Sequence, residues 1–319
     1  MKYIWCIKFF VFIFAHVDAS NSDSCQSYGI SSANLREVII GKCTFFQENI
    51  NHDVFCEEGF RNCTQIWESF KNSFVHQPTC NVSLDKMTEY ISLTNHSIPP
   101  NKNMFWENVY PFVSRFTNQG QRYVSVSDTL TGYIGDAVQW CSDDNSTTGM
   151  TSSGQTCPGF ETTPDCYQSA QRAFWIAVSK HFAQSASGEV FILLNSSVTP
   201  IFSLDTYFAV YELPHIANNL VTKATVLLIT ENPEESGSKC EDSSLTKLSQ
   251  KLKEKQIQYF CIENRRDVVM TFCLDNPEAK VCDMLLDTTS GAEIVNMSNV
   301  NMFIAWVGLV IFKLLSKTD

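Results

Sequence analysis

The sequence predicts an α+β protein with a helical subdomain, an α/β subdomain containing a small parallel sheet, and an active-site cleft between them. Up to about Ala186, apolar residues recur mainly at helical spacing. After Gly188 come short runs dense in valine, isoleucine and leucine, which are typical of buried strands. The cysteines are numerous enough for about six disulfides, which places the fold in an oxidising compartment.

The first nineteen residues have the layout of a secretory signal. Lys2 and Lys8 form a basic start, Phe9–Phe14 is apolar, and the small residues Val17 and Ala19 occupy the cleavage positions. An N-terminal membrane anchor is the alternative, and it is disfavoured because the apolar run is short. We therefore expect residues 1–19 to be a signal peptide.

The C-terminal end is also apolar. Met302–Leu315 is shorter than the roughly 20 residues that a spanning helix needs. Small residues beginning at Ser290, a polar spacer and this tail form the layout of a glycolipid (GPI) attachment signal, with Ser290 as the attachment site and 291–319 removed. The polar last four residues are atypical for that signal, so a short transmembrane anchor is the alternative. Both interpretations predict a tethered protein outside the cell.

Sequons and cysteines agree with that compartment. Cys6 leaves with the signal, and twelve of the thirteen cysteines remain. A metal site is not expected, because the sequence has no CxxC or HExxH motif and its histidines are scattered. The sequons predict glycosylation at Asn62, Asn81, Asn95, Asn145 and Asn195, whereas Asn296 would be lost with the tail.

Acidic residues exceed basic residues by eleven, and no basic tract occurs. This charge balance argues against nucleic-acid binding. An anionic ligand would have to be held locally, by backbone amides and a few side-chain donors.

Apolar periodicity predicts helices over Cys63–Phe74, Phe105–Phe116 and Ala173–Phe182. A further helix is predicted over Asp128–Trp140, although its two glycines lower helix propensity. On such a helix Asp128 and Asp136, eight residues apart, would lie on roughly one face. Ser142–Pro164 is rich in turn residues and predicts a loop.

In the second part of the chain, Glu189–Leu194, Ala224–Thr230 and Gln258–Ile262 are the predicted strands. Between the last two, Ser243–Ile257 has leucines on one side and lysines on the other, which predicts an amphipathic helix. Strand, helix and strand in this order imply a right-handed crossover within a parallel sheet.

Four motifs carry a resemblance to a known family. They are FWENV at Phe105–Val109, SDTLTGYIGDAVQWC at Ser127–Cys141, FWIAVSKHF at Phe174–Phe182 and TYFAVYEL at Thr206–Leu213. Together they closely resemble the ADP-ribosyl cyclase and NAD glycohydrolase family of animal ectoenzymes. The resemblance extends roughly over 43–282.

The resemblance implies that 20–99 with 125–186 form the helical subdomain, and 100–124 with 187–290 the α/β subdomain. One bridge of the family is absent, because Pro100 and Ser187 occupy its two positions. The disulfides that the resemblance and the remaining cysteines suggest are Cys25–Cys56, Cys43–Cys63, Cys80–Cys166, Cys141–Cys157, Cys240–Cys261 and Cys273–Cys282.

The resemblance also implies an activity: cleavage of the nicotinamide–ribose bond of NAD to nicotinamide and ADP-ribose. NAD would be the substrate, and no cofactor is expected. The alternatives are a predominant cyclase making cyclic ADP-ribose, a catalytically weak surface receptor or adhesion module, and a carbohydrate-cleaving enzyme with two carboxylates across a sugar. Protein partners are not predicted.

Cleaving this bond releases a neutral pyridine, so the chemistry needs a carboxylate for the oxocarbenium-like ribose and aromatic faces for the cationic ring. Glu212 matches the catalytic glutamate of the family, and Trp106 and Trp175 match its two pocket tryptophans. Ser179, one helical turn after Trp175, matches a serine near the reacting ribose, and could instead only cap or pack. Asp136 matches the acid that binds the nicotinamide amide.

The remaining candidates carry departures or alternatives. Asp128 belongs to the motif but could equally be a helix cap. Ser127 replaces an acid of the family that influences the product ratio. Glu107 and Asn108 stand where the family often has a Ser-Arg pair near the pyrophosphate, so phosphate binding must rely on backbone amides, such as those around Tyr207 and Phe208. Tyr207 is bulky where some relatives have a small hydroxyl residue.

Overall fold

The computed structural model describes residues 28–30, 32–142, 156–160, 162–233 and 239–287. Within them, helices fill most of the chain before residue 187 and a parallel sheet dominates the chain after it. Two further segments, Phe46–Ile50 and Phe208–Glu212, are π-helical turns. The strands and α-helices are β1 Tyr28–Ile30, α1 Leu35–Phe45, α2 His52–Glu58, α3 Cys63–Phe74, α4 Thr88–Thr94, β2 Met104–Glu107, α5 Phe112–Thr117, α6 Leu130–Gly135, β3 Thr156–Pro158, α7 Ala170–Ser185, β4 Gly188–Asn195, β5 Val221–Ile229, α8 Ser243–Glu254, β6 Gln258–Glu263, α9 Arg266–Asp275 and α10 Asp283–Asp287.

The central sheet has four parallel strands in the order β2-β4-β5-β6. The three strands and the amphipathic helix predicted after Gly188 are confirmed by β4, β5, α8 and β6. Only Thr230 and residues 255–257 of the predicted ranges lie outside these elements. Helix α8 packs Leu245, Leu248 and Leu252 into the core and leads from β5 to β6. The crossover predicted from the sequence is therefore present.

The predicted helix over Phe105–Phe116 is wrong. Residues Met104–Glu107 form β2, which pairs with β4, and only Phe112–Thr117 is helical. Pro111 lacks a backbone N–H, so it cannot donate the hydrogen bond that a continuous helix would need at this position. The aromatic residues of this segment show helical spacing because β2 and α5 both direct aromatic side chains toward the core. The strand adds a fourth member to the sheet at its edge.

The helix predicted over Asp128–Trp140 is shorter than expected and does not contain either aspartate. Asp128 ends a short 3₁₀ turn, α6 covers Leu130–Gly135, and Asp136 is the C-cap. The two glycines are needed for close packing. A Cβ on Gly132 would lie 2.0 Å from the Val126 carbonyl oxygen, and one on Gly135 would lie 2.3 Å from the Phe174 ring. Tight packing outweighs the lower helix propensity of glycine here.

Both faces of the sheet are covered. On one face Val190, Ile192 and Val226 pack toward α7 and α8 in a core that continues into the helical part. On the other face Phe191 and Leu227 pack against α5 and α9. A sheet buried on both sides explains why its central strands are almost continuously apolar. The predicted helices over Cys63–Phe74 and Ala173–Phe182 are confirmed in α3 and α7.

Five of the predicted disulfides are formed: Cys43–Cys63, Cys80–Cys166, Cys141–Cys157, Cys240–Cys261 and Cys273–Cys282. Cys56 is exposed and has no disulfide partner among the described residues; its predicted partner Cys25 lies outside them. The predicted signal, the attachment site at Ser290 and the sequons at Asn145 and Asn296 also lie outside the described residues. None of the described helices has the length and apolar character required to span a bilayer.

Candidate active site

A cavity of about 860 Å³ lies between the helical part and the sheet. The sheet contributes the residues that follow the carboxyl ends of β2 and β4, which is where parallel sheets commonly bind ligands. The helical part contributes residues around α6 and on α7. The lining residues are Trp106, Glu107, Asn108, Tyr110, Val126, Ser127, Asp136, Phe160, Trp175, Ser179, Val198, Thr206, Tyr207, Phe208 and Glu212.

Glu212 is the most deeply buried carboxylate of this cleft, with 6% of its surface exposed. It ends the π-helical turn Phe208–Glu212, in which the Leu213 N–H donates to the Phe208 carbonyl five residues earlier. Such wide turns occur frequently at functional sites. Burial raises the pKa of Glu212 to about 8; the Ser179 hydroxyl, which hydrogen-bonds the carboxylate, lowers this pKa, and nearby Glu107 raises it. The carboxylate is therefore poised to ionise near neutral pH.

Helix α7 brings Trp175 and Ser179 to the same wall of the cleft. They are four residues apart, so they lie one above the other on one face of the helix. Trp175 is half-buried and packs edge-on against Phe174 at 5.3 Å between ring centroids, while Ser179 is buried. Trp106, also half-buried, enters from the end of β2 and lies 6.0 Å from the Tyr110 ring. Both tryptophans thus line the same cavity as Glu212.

Asp136 and Ser127 line the helical side of the cleft. Asp136 is half-buried, and burial raises the pKa of its carboxyl while the charge of Lys42 opposes that rise. The Lys42 ammonium donates to the Asp136 backbone carbonyl at 2.8 Å and lies 4.5 Å from the centre of the Tyr133 ring. No sequence signal linked Lys42, on α1, to the site, because the two residues are far apart in the chain.

The structure does not bring Asp128 into this cleft. Its carboxylate accepts hydrogen bonds from the Ser125 backbone N–H at 2.9 Å and the Ser125 hydroxyl at 2.6 Å, forming a capping box. Asp128 instead borders a separate cavity of about 370 Å³ beside His96 and Lys102. The geometry corresponds to the capping alternative rather than to substrate contact.

Asn108, Tyr207 and Phe208 also line the cleft, in different ways. Asn108 is exposed, with a left-handed backbone (φ 56°). Phe208 is 1% exposed and its ring packs, tilted by 36°, at 5.6 Å from that of Phe105, so its side chain mainly belongs to the core. The Tyr207 hydroxyl is buried without a hydrogen-bond partner in the described residues. Its ring packs 5.0 Å from Phe160, an aromatic lining residue that sequence reasoning missed.

Glu107 also lines the cleft, and the sequence marked it only as a departure from the family. It is 7% exposed, and its Oε2 has no hydrogen-bond partner among the described residues. Two unpartnered buried polar atoms, this oxygen and the Tyr207 hydroxyl, therefore border one cavity. Buried polar groups normally have partners, so this pair is typical of a site completed by a ligand.

A buried carboxylate that shares one cavity with two indole rings, at the carboxyl edge of a parallel sheet, defines this protein as an enzyme with a carboxylate-centred cleft. The ADP-ribosyl cyclase family model matches residues 32–282. The chain is 30% identical to the human ADP-ribosyl cyclase/cyclic ADP-ribose hydrolase 2, over 79% of this chain and 76% of that protein. It is also 30% identical to the ADP-ribosyl cyclase/cyclic ADP-ribose hydrolase of Aplysia californica, over 79% of this chain and 88% of that protein.

A solved structure of Aplysia cyclase, complexed with substrate NGD and product cGDPR, superimposes with a TM-score of 0.70 and 29% identity. The match covers 80% of this chain and 98% of that one. The chain therefore belongs to the ADP-ribosyl cyclase family, as the four sequence motifs predicted.

Proposed function

We propose that this protein hydrolyses the nicotinamide–ribose bond of NAD, giving nicotinamide and ADP-ribose. The observation that carries the proposal is the buried Glu212 carboxylate, which shares one cavity with Trp106 and Trp175. Ionised Glu212 would stabilise the positive charge that develops on the ribose as the bond breaks, by its field or by a covalent bond. The leaving pyridine is neutral, so no acid has to protonate it.

The tryptophans and the polar groups would position the substrate. Indole faces attract a cationic ring, which favours the nicotinamide between Trp106 and Trp175. Asp136, whose carboxyl is half-buried, would accept a hydrogen bond from the carboxamide. Ser179 holds the Glu212 carboxylate and is close enough to meet the ribose hydroxyls. Water then attacks the ribosyl centre, and a second pyridine base could take its place.

Product analysis tests this proposal. The secreted ectodomain, residues 20–290, would be incubated with NAD, and the products separated by chromatography. Nicotinamide with mostly ADP-ribose supports the hydrolase, whereas dominant cyclic ADP-ribose would make the protein a cyclase. If folded, disulfide-bonded protein releases no nicotinamide, the enzyme proposal is wrong and the receptor alternative takes its place; turnover of oligosaccharides instead would favour the carbohydrate-cleaving alternative.

Replacing Trp175 by Ala is expected to raise the KM for NAD about tenfold, because a cation over an indole contributes on the order of 1–2 kcal/mol when shielded from water. Trp175→Phe keeps an aromatic face and should raise KM only about threefold. Steady-state kinetics would measure both variants. Trp67→Phe, which changes a buried indole of the helical core instead, is the control and should leave KM unchanged.

We further propose that the enzyme acts outside the cell on a GPI anchor attached at Ser290. The five disulfides support an oxidising compartment. Asn62 is exposed, and only its Oδ1 caps α3, leaving the amide nitrogen for a glycan. Phosphatidylinositol-specific phospholipase C should release the activity from the surface of expressing cells. Activity that stays bound would favour a transmembrane anchor.

A further inference from the structure

The charge of the cleft is unusual for a site that takes a dinucleotide. Its lining includes three carboxylates, those of Glu107, Asp136 and Glu212, and no lysine, arginine or histidine among the described residues. NAD presents a cationic pyridinium and an anionic diphosphate, joined through one ribose. Carboxylates attract the first and repel the second, so the cleft distinguishes the two ends of its substrate by charge.

Of these three carboxylates, Glu107 is the one that has no role in the proposed reaction. It lies at the carboxyl end of β2, directly after Trp106, and is 7% exposed. Its Oε1 is 3.5 Å from the Asn108 amide nitrogen, and its Oε2 is buried without a partner among the described residues. The Thr206 hydroxyl and the Ser203 backbone N–H also approach this carboxylate. No described cation forms an ion pair with it. A buried acid in this state has an oxygen available to whatever enters the cleft.

The position of Glu107 relative to Glu212 fixes which part of a substrate it would meet. The two carboxylates are close enough for the charge of Glu107 to raise the pKa of Glu212. If Glu212 faces the ribose carbon that loses nicotinamide, Glu107 lies beside the same ribose, on the wall formed after β2 and β4. The diphosphate is bonded to that ribose, whereas the pyridinium would lie against the Trp106 ring, which lines the same cavity.

Resting on the proposed function, we propose that Glu107 is a specificity-determining residue that repels the diphosphate. When Glu107 is ionised, the cleft then favours a pyridinium riboside without phosphates relative to the dinucleotide. When Glu107 is protonated, its carboxyl can instead donate a hydrogen bond to a phosphate oxygen, and the preference shifts toward the dinucleotide.

This preference depends on pH, because burial raises the pKa of Glu107 to about 7. Other groups around it modify that value: the Thr206 hydroxyl and the Ser203 backbone N–H lower the pKa, and the charge of Asp205 raises it. Glu212 and the neutral Asn108 amide are its other polar neighbours. Glu107 therefore changes from mostly neutral at pH 6 to mostly ionised at pH 8.5.

The test compares kcat/KM for NAD with kcat/KM for nicotinamide riboside, for the wild-type ectodomain and for Glu107→Gln at pH 6 and 8.5. The ratio of the two constants cancels changes in Glu212, since both substrates need the same carboxylate. In the wild type the NAD-to-riboside ratio should fall about tenfold between pH 6 and pH 8.5, equivalent to about 1.4 kcal/mol. In Glu107→Gln it should stay high at both pH values.

Asp205→Asn is the matched control. Asp205 is exposed and close enough to act on Glu107, but it does not line the cleft. Its removal takes away one negative charge near the site, and the ratio should change less than twofold at pH 8.5. A change as large as that of Glu107→Gln would mean that general charge, rather than a carboxylate inside the cleft, sets the preference.

Two results would overturn the inference: equal effects of Glu107→Gln on both substrates, or a wild-type NAD-to-riboside ratio that does not depend on pH. The second result needs no variant, so a folding defect cannot obscure it.

A binding measurement distinguishes failure of this inference from failure of the proposed function. Calorimetric titration of Glu212→Gln and Glu107→Gln/Glu212→Gln would give Kd for both compounds at pH 8.5. A tenfold gain confined to NAD supports the inference even if the wild type releases no nicotinamide, and an unchanged Kd ratio contradicts it.

Discussion

Glu212→Gln is expected to lower kcat for nicotinamide release from NAD about a thousandfold, with little change in KM. The carboxylate charge matters most in the transition state, where positive charge develops on the ribose, and glutamine has the same shape without that charge. Single-turnover and steady-state assays of nicotinamide release would measure the loss. Near-normal turnover by the folded variant would contradict the role of Glu212.

The stability of Glu212→Gln to denaturant shows whether this variant is folded. Burial raises the pKa of Glu212 above its value in the unfolded chain, so the folded state binds the proton more tightly. The contribution of protonated Glu212 to the free energy of unfolding is therefore fully present below the unfolded pKa and is lost as pH rises through about 8. A neutral glutamine does not ionise, so at pH 9 the variant should unfold at a denaturant concentration equal to or above that of the wild type. Glu231→Gln, which changes an exposed glutamate, is the matched control and should alter neither activity nor stability.

The second large effect is a rise of kcat/KM with pH. Only ionised Glu212 can stabilise the ribosyl cation, and its pKa is raised to about 8. For nicotinamide riboside, which has no diphosphate for Glu107 to repel, kcat/KM should fall about tenfold per pH unit well below that value. The fall between pH 8 and pH 6 should be about fiftyfold, because kcat/KM reports groups of the free enzyme. The profile should be measured from pH 5.5 to 9.5, with circular dichroism confirming the fold at each end.

Ionisation of Glu107 should also affect this pH profile of kcat/KM. Two neighbouring acids titrate as a pair, so the apparent values belong to both. Glu107→Gln removes the negative charge that raises the pKa of Glu212, and the acid limb should move to lower pH. The acidic limb of the kcat profile should also lie at a lower pH than that of the kcat/KM profile, because a bound pyridinium cation favours the ionised form of Glu212. A flat kcat/KM between pH 6 and pH 9 would show that Glu212 is ionised throughout and that burial does not control it.

The sequence alone determined the elements whose signal is local. The leucine spacing of α8 and the dense apolar runs of β4 and β5 specify helix and strand through periodicity over a few residues, so these elements could be predicted. The four motifs likewise identified the family, and with it Trp175 and Glu212. Family resemblance also supplied five disulfide pairings, and the structure forms all five.

Only the tertiary structure decided the features that depend on residues far apart in the chain. Phe105–Phe116 has helical spacing, yet pairing with β4 and the missing N–H of Pro111 divide it into a strand and a short helix. Asp128 and Asp136 belong to one motif, but the Ser125 capping box directs Asp128 away from the cleft. A pattern of residue types carries no information about which partner each side chain will meet.

The same reason applies to Glu107 and Glu212. A glutamate after an apolar segment is usually exposed. The aromatic residues before Glu212 predict partial desolvation, but no local pattern predicts how deeply either glutamate is buried. The end of β2, the π-helical turn after β4 and helix α7 converge only when the sheet forms, and their convergence removes water from both carboxylates. Desolvation then raises both pKa values and couples the two acids. The candidate for the catalytic carboxylate could therefore be named from the sequence, whereas its protonation state and its acidic neighbour are properties of the folded chain.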